Sequence, residues 1–123
     1  MHVIRADKEK NRLYLTLGKL DAVEEMVKVA EEIRDACKDL RPGFTCLTDL
    51  RDFELLDEQY EFLITGVQEF LVKAGVSEVV RVVRKFGSWG HIQFDKSSMG
   101  VGYRGRYVHD MQEALDILDG KKK

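Results

Sequence analysis

An α/β fold is what this sequence predicts: a small mixed β-sheet, opened by an N-terminal antiparallel hairpin, continued by parallel strands and layered with helices. Two observations predict it. Short alternating or valine-rich runs are interleaved with longer stretches whose apolar residues recur at helical spacing, and such strand–helix–strand alternation implies parallel pairing through right-handed crossovers. The first two runs are separated by a short polar turn instead of a helix, which makes them a hairpin. At 123 residues the chain fits one domain and hardly two. Residues 1–120 are assigned to that domain, and the three lysines at 121–123 to a disordered basic tail.

Val3-Ile4-Arg5 is short and β-like, and Asn11 closes the polar turn after it. Arg12 to Leu17 alternates strictly: Leu13, Leu15 and Leu17 face one way, while Arg12, Tyr14 and Thr16 face water or a partner. Gly18 ends this strand and Asp21 is a helix-cap residue. Val23, Met26, Val27, Ala30, Ile33, Cys37 and Leu40 then form the apolar stripe of a helix of about five turns. Pro42 and Gly43 stop it. Phe44 to Leu50 suits an inner strand. A second helix starts near Asp57, with Tyr60, Leu63, Ile64, Val67, Phe70, Leu71 and Ala74 buried and Gly75 as its C-cap. Val79 to Arg84 is a valine-rich strand. Residues 91–99 suggest a short helix and 100–105 a glycine-rich loop. Arg106-Tyr107-Val108 reads as an edge strand, and Asp110 caps a last helix with Met111, Ala114, Leu115 and Leu118 inward. The order is ββαβαβ(α)βα.

Lys and Arg number 20 and Asp and Glu 22, a net charge of −2, so the chain as a whole is no polycation built for nucleic acid. With 44% hydrophobic residues and one proline it has the composition of a folded protein. No apolar run approaches the roughly 20 residues that span a bilayer, and the first eight residues lack an export-type apolar core. Cys37 and Cys46 read as reduced, packed thiols. The expectation is a cytoplasmic protein without a membrane span. The charge is segregated: residues 21–61 hold 13 acidic against 5 basic residues, and 73–109 hold 7 basic against 2 acidic. Such segregation can create two opposed faces.

Catalytic motifs are not visible. No P-loop or GxGxxG occurs; Gly100-Val101-Gly102-Tyr103-Arg104-Gly105 has the wrong final spacing. His2, His91 and His109 are isolated and the cysteines lie nine apart, so no metal and no cofactor is expected. A reactive cysteine needs a helix N-terminus or a basic neighbour, and the sequence offers neither. The carboxylates Asp49, Asp52, Glu54, Asp57 and Glu58 read as solvated or helix-dipole partners. The basic stretch is interleaved with Phe86, Trp89, Phe94, Tyr103 and Tyr107, as in single-strand platforms, but without an RNP-type motif; no nucleic-acid partner is assigned. An anionic small molecule or a lipid headgroup, held near Arg51, Arg84, Trp89 and Arg104, is the ligand reading. Phe62 breaks the second helix's pattern, standing opposite the buried stripe, and marks a contact surface.

The element order and the segment Thr48-Asp49-Leu50-Arg51-Asp52-Phe53-Glu54-Leu55-Leu56-Asp57-Glu58-Gln59 resemble the STAS fold of bacterial anti-sigma-factor antagonists and of sulfate-transporter cytoplasmic domains. That family's central strand ends in Asp-Leu, and after a short loop Asp-Ser-Ser-Gly opens a helix. Here Asp49-Leu50 stands at the strand end and Asp57 follows eight residues later. Glu58-Gln59 replaces the serine pair and Tyr60 the glycine. The resemblance therefore implies an antagonist-like module without the phosphorylatable serine, Glu58 carrying one fixed charge where phosphoserine carries nearly two. The expectation is a non-catalytic regulatory interaction module that binds a protein partner or itself as a homodimer, through Asp57, Glu58, Gln59 and Phe62. The alternative is a small-molecule, lipid or nucleotide-binding domain with an anion-binding cleft.

Overall fold

A computed structural model describes residues 1–20, 22–55, 61–84 and 105–120. The elements are β1 (His2–Asp7), β2 (Arg12–Leu17), β3 (Lys19–Leu20), α1 (Val23–Cys37), β4 (Thr45–Asp49), β5 (Glu54–Leu55), α2 (Glu61–Ala74), β6 (Glu78–Val82), β7 (Arg106–Val108) and α3 (Met111–Leu118). Five strands form a mixed sheet in the order β1-β2-β4-β6-β7, with β1 antiparallel to β2 and every other pair parallel. The α/β class, the hairpin and the parallel continuation are as the sequence predicts. The two-residue ladder of β3 with β5 is an addition; two residues carry no periodicity that a sequence pattern can reveal.

The sheet grows in one direction, from β2 to β4 to β6. Right-handed crossovers then place α1 and α2 on the same face. Leu13, Cys46 and Val79 lie in register across that face and pack with Met26, Val29, Ile33, Ile64 and Leu71 from the helices. On the other face Leu47, Val80, Val82 and Val108 pack with Ala114 and Ile117 of α3.

Local chemistry explains the ends. Asn11 adopts the left-handed conformation (φ 52°) at the hairpin turn, and its side chain both donates to and accepts from the Arg41 backbone. Gly75 ends α2 at φ 99°, where a Cβ would meet Pro42 at 3.0 Å. Asp110 caps α3 by accepting from the Gln112 N–H at 2.7 Å. The cap position of α1 is Ala22, which makes no side-chain bond; Asp21 lies outside the described residues.

Three details differ from the sequence reading. The first helix ends at Cys37, about four turns long, because Lys38, Asp39 and Leu40 bond back three residues to Asp35, Ala36 and Cys37, the tighter geometry of a closing turn. Its buried residues are Met26, Val29 and Ile33, while Val27 is exposed: α1 packs on β1, which turns the buried stripe toward Val29. In the last helix Ile117 is buried. The predicted helix at 91–99, the loop at 100–104 and the tail at 121–123 lie outside the described residues.

Candidate functional site

Ligand sites in parallel α/β sheets form beyond the carboxyl ends of the strands. Here β4 runs out at Asp49, Leu50 turns into the core, Arg51 and Asp52 are exposed, and Phe53 returns inward. The Asp49 carboxylate accepts from the Arg51 backbone N–H at 3.1 Å and from its guanidinium at 2.9 and 2.8 Å. Arg84, just past β6, donates to the Arg51 carbonyl at 2.8 Å and to Asp52 at 2.5 Å. Burial alone would raise the Asp49 carboxyl's pKa; the Arg51 hydrogen bonds outweigh it and hold the group below its ordinary range. The two expected anion ligands within the described residues, Arg51 and Arg84, are therefore brought together, each already facing a carboxylate. The four side chains sum to zero charge. Trp89 and Arg104 lie outside the described residues.

Arg84 reaches across to Asp52 of the acidic stretch, while Arg106 lies 3.6 Å from Glu78 within the basic one and Arg81 is buried.

Sequence reasoning missed a buried polar row beneath α2. Leu15, Thr48, Arg81 and Tyr107 are in register across the sheet. Arg81 is only 1% exposed; its guanidinium donates to the Tyr107 hydroxyl at 2.7 Å and lies 5.5 Å from that ring's centre. Gly105 lets it come so close, since a Cβ there would stand 2.9 Å from Arg81 Cζ. Gln68 reaches down from α2, also buried. Thr48, Gln68 and Arg81 share the wall of an otherwise apolar cavity of about 40 Å³ with Leu17, Met26 and Ile64. The signal was available: Arg81 stands at the inward-facing step between Val79 and Val83, so an inner strand must bury it.

Cys46, beside Thr48 at 3.6 Å, has its thiol pushed up to about 11 by burial. Burial pushes Cys37 up to about 11 as well. Both are free thiols held in the protonated, weakly nucleophilic form at neutral pH.

The third place is a groove between α1 and α2. Both helices run opposite to the parallel strands they connect, and so alongside each other. Ala30, Ile33 and Arg34 of α1 and Phe62, Leu63, Gly66, Val67 and Phe70 of α2 enclose about 190 Å³. Phe62 is 64% exposed, on the outer side of α2 where the sequence puts it. Gly66 is one turn further on, with open space where a Cβ would be. Arg34 lies over the Phe70 ring at 5.9 Å. The other expected contact residues, Asp57, Glu58 and Gln59, lie outside the described residues.

Among the described residues, no group of three or more His, Cys, Asp or Glu side chains is placed to hold a metal ion, and no helix is long and apolar enough to cross a membrane. Neither the models of known protein families nor the curated proteins that were compared match this chain.

Proposed function

We propose that this protein is a non-catalytic, regulatory protein-interaction module, STAS-like in kind and without a serine switch. The observation that carries the reading is the apolar groove between α1 and α2, with Phe62 held 64% exposed on its wall. An aromatic ring left in water beside an open apolar groove is the surface chemistry of a contact site, not of a solvated helix face. Asp57, Glu58 and Gln59, shortly before α2 in the sequence, complete the proposed contact set with Phe62. The sheet order supports the STAS-like assignment, as does Asp49-Leu50 at the end of the central strand.

The alternative is a cleft for an anionic small molecule or lipid headgroup at Arg51 and Arg84. The carboxylates of Asp49 and Asp52 weigh against it, because an incoming anion must displace them. Comparative capture tests the choice. Tagged full-length chain and a folded Phe62→Ser variant are cross-linked in the same cell extract, and the bound proteins are compared. A set of partners lost with Phe62→Ser supports the module; an unchanged set overturns it. A small molecule retained in the native mass spectrum and lost with Arg84→Ala moves the assignment to the cleft.

A further inference from the structure

We infer that His2 is a proton-operated latch: its charged ring fastens the edge strand β1 to α1, and its neutral ring lets that end of β1 loosen. The latch is independent of the interaction-module reading. Glu25 and Glu32, which hold the ring, stand nearly opposite Ala30 and Arg34, the α1 residues that line the groove.

The geometry carries the inference. Glu25 and Glu32 are about two turns apart on one face of α1. His2 lies between them, with Nδ1 3.0 Å from Glu25 Oε2 and Nε2 2.6 Å from Glu32 Oε2. A neutral imidazole has one N–H and one lone pair, and an ionised carboxylate only accepts. Both contacts are hydrogen bonds only while both ring nitrogens carry protons. When one proton leaves, a lone pair faces a carboxylate at close range, and one side of the bridge must open. The His2 side chain is 13% exposed, so water does not freely replace the lost partner.

The surroundings decide which side opens. On β1, the Met1 amine lies 2.8 Å from the same Glu25 oxygen that faces Nδ1, so this carboxylate keeps a cation without the ring. The amine also donates to the Lys19 carbonyl at 3.0 Å. On β2, Leu17 is opposite His2 and brings no charge. On α1, Lys28 stands between the two glutamates in the sequence. The Nε2–H stays with Glu32 at the shorter contact, and the Glu25 side opens. Burial alone would lower the imidazole pKa; the two carboxylates outweigh it and raise it above 6.5. The latch is therefore shut below pH 6.5 and opens as pH rises through the raised value.

The place gives the latch its effect. β1 is the end strand of the sheet, paired with β2 alone, and α1 packs on it. Once the Glu25 side opens, this end of β1 leans on its one ladder, and an edge strand can open while the rest stays folded.

Nuclear magnetic resonance of the full chain, with nothing added before Met1, tests this across the pH range in which histidine titrates. It follows the His2 ring nitrogens and the hydrogen-exchange protection of the β1 and β4 amides, corrected for the intrinsic pH dependence of exchange. The expected ring titrates above 6.5 and ends as the Nε2–H tautomer. The β1 amides are less protected than those of β4. Their protection falls on the ring's midpoint, by a factor of about ten for each unit by which that midpoint exceeds 6.5. His2→Gln removes the step, and Glu32→Gln, at a half-exposed position, lowers the midpoint and shrinks the step with it. A midpoint at or below 6.5, or a step that persists in His2→Gln, overturns the latch. Equal protection of β1 and β4 overturns it too, since the strand then moves only with the whole fold.

Discussion

Under α1 and α2 the sheet buries leucine, cysteine and valine side chains from β2, β4 and β6 against two long helices. On the opposite face α3, eight residues long, packs chiefly on β4, β6 and β7. Among the described residues, side chains cover the β1–β2 flank of that second face. Arg5 lies 4.2 Å over the Tyr14 ring, and Arg12 donates to Thr45, Tyr14 and Asp119. The comparison teaches that, among the described residues, arginine stems and one ring can cover a sheet flank beside a short helix. It also locates the open groove: two helices side by side bury more, yet leave a seam between them on their outer side.

Three experiments press on that contrast. The largest effect belongs to the two-helix face. Ile33 is 1% exposed and serves both the core and the groove floor, so Ile33→Ala costs about 4 kcal/mol, whereas Ile117→Ala beneath the single helix costs about 2 kcal/mol. Urea midpoints of both variants measure this, and equal losses erase the distinction between the faces. Next is the side-chain seal. The Arg12 side chain is 4% exposed and lies 2.8 Å from Asp119. Arg12→Leu keeps the stem and takes the 2.8 Å cation from the carboxylate while Lys10 stays 3.7 Å away, lowering stability by about 1.5 kcal/mol, while Arg5→Leu stays within about 0.5 kcal/mol. If Arg12→Leu is neutral, stem packing alone closes the flank.

The smallest effect is electrostatic and sits where β1 meets α1. His2 lies 3.0 Å from Glu25 and 2.6 Å from Glu32. Burial alone would lower the imidazole pKa; the two carboxylates outweigh it and raise it above 6.5. Its contribution to stability is therefore complete below pH 6.5 and is lost as pH rises through the raised folded value. Wild-type urea midpoints should fall slightly as pH rises above about 6.5, and His2→Gln should flatten that slope. A steeper fall in the variant contradicts the assignment.

Much of this architecture was legible in the residues. The leucine face of β2, the polar turn at Asn11, the Asp110 cap and the Gly75 stop are local signals, and each appears in the structure as read; Arg12 does not, since it was placed toward water or a partner and is buried at 3% exposure, its guanidinium donating to Thr45, Tyr14 and Asp119. What failed depended on neighbours distant in sequence. Val27 and Val29 lie near opposite edges of one stripe, and only the docking of α1 on β1 decides which is buried. Arg81 and Gln68 look like surface residues by type; the sheet register and the position of α2 bury them. Arg51 and Arg84 looked like free cations because their partners, Asp49 and Asp52, are decided by loop geometry, and for Arg84 the partner is 32 residues away. Of the contact surface, Phe62 was legible because an aromatic ring opposite a buried stripe breaks a periodic pattern. The notch at Gly66 was not, since a glycine in a helix becomes informative only beside what protrudes next to it.

The register has a consequence for how the chain finds its shape. Arg12 pairs with Thr45 and Thr45 with Glu78, so the central strand is flanked on both sides by partners 33 positions away along the chain. Only the β1–β2 hairpin can zip from a nearby turn. Neither parallel ladder of the centre exists until β4 is inserted, and each requires a loop of the same size to close around a helix. Loop-closure entropy rises slowly with length, so the two closures are nearly equal hurdles. The speed of folding is set by how fast the segment from Thr45 to Asp49 is captured between its two neighbours, on the intermediate timescale of mixed α/β chains.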